Sequence, residues 1–204
     1  ELGEYNEEYI KSLDELFVLC KKYNIYVILS LFDHYDMRNY WNEFAYSIIR
    51  EGPCRDRDDF YNSWFAWQYQ KQRFKFLIDR YTNENIFAWE IVNEMNGVAH
   101  REDKEWTDIC VKWFKKASEY IKEIDPNKHL ITESLTGDHY WEELYACPNL
   151  DVIQIHTYAV GDDPFEIARI VNYYISRSLQ FKKPVIIGEF GGFKESPRKD
   201  DFLH

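Results

Sequence analysis

The sequence contains no run of 18 apolar residues, so no segment reads as a helix that crosses a membrane. Its start, ELGEYNEEYIKSLDELF, lacks the basic opening and apolar centre of a secretory leader. That stretch reads as a helix already under way, and the expectation is a chain that begins inside a domain. Cys20, Cys54, Cys110 and Cys147 show no CxxC spacing, which argues against a zinc cluster. GxGxxG and GxxxxGK[ST] are both missing, and with them the usual phosphate-cradling turns. Positive charge is scarce: 25 Lys and Arg stand against 36 Asp and Glu, a net −11. Nucleic acid and anionic membranes need a basic patch, so neither is expected as a partner, whereas a neutral ligand is compatible.

Of the four cysteines, Cys20 and Cys110 fall on apolar helix faces and read as small core residues. Cys54 and Cys147 lie in the loop-like segments GPCR and ACPN, where a bridge between them stays open. Aromatic residues are abundant, with 7 Trp, 16 Tyr and 14 Phe in 204 residues. Most suit a core. Tyr40, Trp41 and Trp141 fall outside the periodic pattern, and sugars present flat C–H faces that stack on such rings.

Hydrophobic spacing divides the chain into alternating elements. A helix is expected from Glu7 to Tyr23, capped by Asn6, with Ile10, Leu13, Phe17 and Cys20 as its apolar stripe. A long irregular segment is expected from about Asp33 to Asp59, then a helix over Phe60 to Tyr81. Trp106, Ile109, Cys110, Trp113, Phe114, Ala117, Tyr120 and Ile121 recur at helical spacing until Asp125-Pro126 stops them. HYWEELYAC reads as a short helix. Asp163-Pro164-Phe165-Glu166 reads as a capping box with Pro in the first turn, opening a helix to about Phe181. Between the helices stand five strands: IYVILSL, IFAWEIV, HLITE, DVIQIHTY and PVIIGEF. They are nearly unbroken apolar runs without hairpin signals, as in a parallel sheet covered on both faces.

Polar groups gather at the ends of these runs. Asp33 and His34 follow the first, Asn93 and Glu94 the second, and Glu133 ends the third. His156 and Tyr158 end the fourth, and Glu189 the fifth. A (β/α)8 barrel collects its functional residues in this way, at the C-terminal ends of several strands. The expected fold is therefore an α/β (β/α)8 TIM barrel that is incomplete, with five of eight strands and residues 1–204 forming one partial catalytic domain.

The segments WEIVNE, IQIHTY and VIIGEFG, in that order, resemble the fourth, sixth and seventh strands of clan A glycoside hydrolases. Within that clan they are similar to the cellulase and mannanase family, family 5, and its close relatives. The resemblance implies that strands one, two and eight lie outside this chain, and with them the family's strand-two Arg and strand-eight Trp. It implies Glu94 as the acid/base and Glu189 as the nucleophile. Asn93 resembles the amide that contacts the sugar 2-hydroxyl, and His156 and Tyr158 resemble the family's His-x-Tyr pair. His34 corresponds loosely to a His after strand three, though FDHYD departs from the family's D-x-H order, so either Asp33 or His34 could face the site. Glu133 is divided between substrate contact and a rim salt bridge, and Trp41 and Trp141 are candidate sugar platforms.

In function, the resemblance implies a retaining endo-acting β-glycosidase, with no cofactor and no metal. Its partner would be a β-linked polysaccharide, mannan or β-1,4-glucan. Glu94 would start protonated and Glu189 ionised, with Tyr158 donating to Glu189. The alternatives are exo-action on oligosaccharides, a non-catalytic carbohydrate-binding relative, and a metal-dependent hydrolase using His34, Glu94, His156 and Glu189. The last is weakened by the absence of HxH. The longer parent is expected to be secreted or periplasmic, and the piece alone to be poorly soluble or inactive.

Overall fold

The computed structural model describes residues 1–99, 103–137, 139–160 and 165–193. Helix α1 (Glu7–Tyr23) begins where the Asn6 side chain accepts from Glu8 N and Tyr9 N, and it ends on Asn24 in the left-handed conformation. The strands are β1 (Val27–Ser30), β2 (Ile86–Glu90), β3 (Leu130–Glu133), β4 (Val152–Val160) and β5 (Val185–Phe193). Among the described residues they form one sheet in the order β1-β2-β3-β4-β5, every pair parallel. A doubly wound sheet reverses its strand order at a switch point. Here each crossover returns to the next neighbour instead, so the sheet curls in one direction as part of a (β/α) barrel.

The crossovers follow from amphipathic spacing. Helix α5 (Lys104–Ile124) starts on Asp103, whose side chain accepts from Trp106 N at 2.9 Å. It buries Trp106, Cys110, Trp113, Phe114, Ala117 and Ile121 along one stripe. Each such large side chain stabilises by about 1.5–3 kcal/mol when fully buried. Its C-terminal end is tied down by Asp125, which accepts from Thr82 Oγ1 at 2.6 Å, Trp89 Nε1 at 2.9 Å and His129 N at 2.9 Å. Burial raises the Asp125 carboxyl, but these donors outweigh it and hold the pKa down at about 2.

The structure corrects two expectations and closes one question left open. The segment from Asp33 to Asp59 is not wholly irregular: it holds helix α2 (His34–Asn39), a 3₁₀ turn at Ile48–Arg50 and the start of helix α3 (Arg57–Asn62). Asp33 caps α2 by accepting from Tyr35 N at 2.6 Å. The helix expected over Phe60–Tyr81 is two helices, because Ser63 adopts an extended conformation and caps α4 (Trp64–Tyr81) by accepting from Ala66 N. Cys54 and Cys147 form no bridge; both are free, buried thiols. Burial pushes Cys54 up to about 12 and raises Cys147 as well. HYWEELYAC yields α6 (Glu142–Tyr145), and α7 runs over Glu166–Ser178 with a 3₁₀ extension to Phe181. The expected cap at Asp163-Pro164 lies outside the described residues.

Candidate active site

Polar side chains converge at the C-terminal ends of the strands. The chain leaves β2 through an isolated parallel bridge between Asp33 and Asn93, and Glu94 then takes φ 54° and ψ 54°. The left-handed region costs a residue with a Cβ about 1–2 kcal/mol. Three backbone contacts offset it: Glu94 N donates to Ser134 Oγ at 2.8 Å, Met95 N to Ser134 O at 3.2 Å and Gly97 N to Glu94 O at 2.8 Å. Strain of this kind concentrates at functional sites. It turns the Glu94 side chain away from the strand line and into the mouth of the sheet.

His156 stands between the two glutamates. Its Nδ1 lies 3.1 Å from Glu94 Oε1 and 3.6 Å from Glu189 Oε1. One oxygen of each carboxylate and this nitrogen all lie within 4.8 Å of one another. His156 is buried, whereas the Glu189 side chain is 41% exposed and open to a ligand. The Tyr158 hydroxyl donates to Glu189 Oε2 at 2.5 Å. Burial, followed by that carboxylate, raises the Tyr158 hydroxyl to about 12, so it stays a donor. His34, at the start of α2, approaches from the other side with Nδ1 3.3 Å from Glu94 Oε2, though without hydrogen-bond alignment. Asn93 donates through Nδ2 to Asp33 Oδ2 at 3.1 Å. The loose FDHYD register thus brings in both residues: His34 meets Glu94, and Asp33 braces Asn93.

Three expected residues do not join them. Trp41 and Trp141 are each 8% exposed and belong to the core. Trp41 lies under the Arg57 guanidinium and beside Phe44, so its faces are taken by protein. Glu133 is fully buried, and its Oε2 accepts from Val92 N at 3.2 Å. It pairs with no cation among the described residues. Burial, and then the nearby Glu90, push its carboxyl well above the usual range.

The residues that sequence reasoning left without a role lie beneath the glutamates. Glu90 is buried and accepts from the hydroxyls of Ser30 and Ser134 and from Gln154 Nε2. Burial raises its carboxyl, the two hydroxyls and His156 pull it down, Glu189 pushes it up, and the balance is upward. Gln154 Nε2 also lies 3.2 Å from His156 Nε2. The signal for this layer was a polar residue inside each of two apolar runs, IFAWEIV and DVIQI.

Two carboxylates and an imidazole at this spacing suit acid–base chemistry paired with nucleophilic attack. The same three groups could also bracket a divalent cation.

Comparison with known proteins bears on the choice. The chain is 26% identical over 239 residues to mannan endo-1,4-beta-mannosidase 1 of Arabidopsis thaliana, covering 96% of this chain and 55% of that protein. It is 24% identical over 230 residues to mannan endo-1,4-beta-mannosidase 4 of Solanum lycopersicum, covering 96% and 56%. It therefore spans about half the length of the curated relatives it matches. In structure it is similar to the beta-glucuronidase of Bifidobacterium dentium, with TM-score 0.60 at 16% identity, covering 86% of this chain and 25% of that one. The description Cellulase (glycosyl hydrolase family 5) matches residues 2–202, nearly the whole chain, and the chain belongs to that family.

Proposed function

We propose that this chain carries the two-glutamate centre of a retaining endo-β-glycosidase that cleaves a β-linked polysaccharide, with mannan the leading substrate and β-1,4-glucan second. The observation that carries this reading is the separation of Glu94 and Glu189, with one oxygen of each inside 4.8 Å. Retaining enzymes hold their carboxyl groups about 5–5.5 Å apart, and inverting ones about 6.5–9.5 Å apart to admit a water. The mannan endo-1,4-beta-mannosidases among the relatives favour internal cleavage of mannan.

In the proposed reaction a Glu189 oxygen attacks the anomeric carbon, and the glycosidic C–O bond breaks as Glu94 gives its proton to the leaving oxygen. A covalent glycosyl ester on Glu189 results. Glu94, now a carboxylate, takes a proton from water, whose oxygen attacks the same carbon and frees Glu189. Tyr158, donating to Glu189, holds the nucleophile in line. Asn93, braced by Asp33, is the candidate partner of the sugar 2-hydroxyl.

The test has two parts. The anomer first formed from a mannan oligosaccharide, followed by proton NMR, should be β, and an α product would mean inversion. A 2-deoxy-2-fluoro glycoside should leave its label on Glu189, and E189A should lower kcat on the order of 10³-fold or more. Label at another residue with E189A hydrolysis unchanged defeats the assignment. The second reading, a metal-dependent hydrolase, rests on the cation-sized cluster of Glu94, His156 and Glu189. Hydrolysis that survives exhaustive chelation excludes it.

A further inference from the structure

The buried layer under the glutamates has a definite hydrogen-bond polarity. Glu90, Gln154, Ser134 and His156 are each no more than 4% exposed, so water does not sort their protons. Gln154 Nε2 touches two atoms, Glu90 Oε1 and His156 Nε2. Turned the other way, the amide would set its carbonyl oxygen against a carboxylate oxygen. With Glu90 as the acceptor, the amide must present N–H to it, and its second N–H then points at His156 Nε2. That nitrogen must carry a lone pair, which leaves the ring proton on Nδ1. Nδ1 is the atom 3.1 Å from Glu94 Oε1.

A second arm starts at the same oxygen. The Ser134 hydroxyl donates to Glu90 Oε1 at 2.7 Å, so its lone pair is free to accept from Glu94 N at 2.8 Å. One arm reaches the side chain of Glu94 and the other its strained backbone. Ser30 adds a third donor to Glu90 and holds the carboxylate across from β1.

We propose that Glu90 is a positioning residue: as a buried acceptor it fixes the Gln154 amide, and through it the Nδ1–H tautomer of His156 that holds the Glu94 carboxylate. The proposal rests on the two-glutamate reading above and deepens it. Glu90 acts only through Ser134, Gln154 and His156.

The experiment reads the tautomer directly. Two-bond 1H–15N correlation on 15N-histidine-labelled protein, with His156 assigned by loss of its signals in H156Q, should show one ring with its proton on Nδ1. E90M keeps the bulk of the side chain and removes the acceptor; the His156 ring should lose its single tautomer and kcat should fall about 100-fold, the scale of a misplaced acid–base group. E90Q keeps one acceptor oxygen, with the Ser30 hydroxyl free to turn toward the new amide. It should restore the Nδ1–H spectrum and most of kcat, which a demand for charge at this position would not allow. Q154M leaves Glu90 its two serine hydroxyls and cuts only the link to His156, so it tests the same step where E90M does not fold. An Nε2–H tautomer in the unsubstituted protein overturns the proposal. So does a folded E90M or Q154M with unchanged ring spectrum and kcat. The spectrum is independent of turnover: E189A with full hydrolysis would defeat the functional reading without altering the ring, whereas an Nε2–H ring would defeat this inference even with both glutamates essential.

Discussion

At the scale of single residues, the contact that most directly conditions Glu189 is the Tyr158 hydroxyl, 2.5 Å from Oε2. A hydrogen bond to a charged group contributes about 1.5–3 kcal/mol, and exposure moves the figure toward the low end because water replaces part of it. Glu189 is 41% exposed, so Y158F is expected to lower kcat about tenfold, with KM nearly unchanged. A fall confined to KM would assign Tyr158 to substrate binding rather than to the proposed nucleophile. That Glu94 and Glu189 share one site was legible in the sequence through the ordered segments WEIVNE, IQIHTY and VIIGEFG and their resemblance to the family, not through strand-end composition alone. Glu133 closes an apolar run too, and it is buried. Successive residues of a strand face opposite ways, and Ser134, one position further on, is the one that reaches Glu94. Composition at a strand end cannot distinguish two adjacent residues that face opposite sides.

At the scale of elements, the site depends on how closely β4 and β5 approach. His156 pairs with Glu189 across them, just past a register shift. Gly188 allows that approach: a Cβ there would stand 2.7 Å from Gln154 Cδ and 2.9 Å from His156 Nε2. G188A is expected to lower stability by about 1–3 kcal/mol, the cost of overpacking a core, seen as a lower urea midpoint at constant m-value. It should also reduce kcat by displacing His156; a variant with parental midpoint and parental rate would show that the strands yield without strain. The five strands were legible because each is a nearly unbroken apolar run without hairpin signals, and α1 because Asn6 and its stripe agree. Helix α2 was not, since a helix of six residues has too few turns to show a period. Ser63 was missed because the pattern is helical on both sides of it, and a cap that also breaks a helix leaves no gap in hydrophobic spacing. The Glu90 and Gln154 layer was hidden for a related reason: one polar residue inside an apolar strand reads as an exception until its neighbours on other strands are known.

At the scale of the whole molecule, stability against pH is set by buried carboxyls with opposite signs. Asp125 titrates at about 2 when folded, below its ordinary value of 3.8. Between those values the unfolded chain binds more protons than the folded one, so stability rises with pH. The span is worth about 2 kcal/mol, fully present above roughly pH 4 and lost as pH falls toward 2. Glu133 behaves oppositely. Its folded carboxyl lies well above the usual range, so above roughly pH 4.3 the folded protein holds a proton that the unfolded chain has released, and stability falls as pH rises. The net charge of −11 at pH 7 adds self-repulsion in the same direction. Tm is therefore expected to peak between about pH 4 and 5 and to decline on both sides. Two substitutions separate the limbs. D125N should flatten the acid side, because the amide no longer titrates, and should lower Tm at neutral pH by leaving the donors from Trp89 and His129 with a weaker acceptor. E133Q should leave the acid side alone and raise Tm at pH 7, since the amide can accept from Val92 N without the proton that the buried carboxyl must take up on folding. Thermal melts of the three proteins from pH 2 to 8 decide the matter: an E133Q curve that follows the parent above pH 5 would mean that Glu133 is not the group whose ionisation opposes the fold.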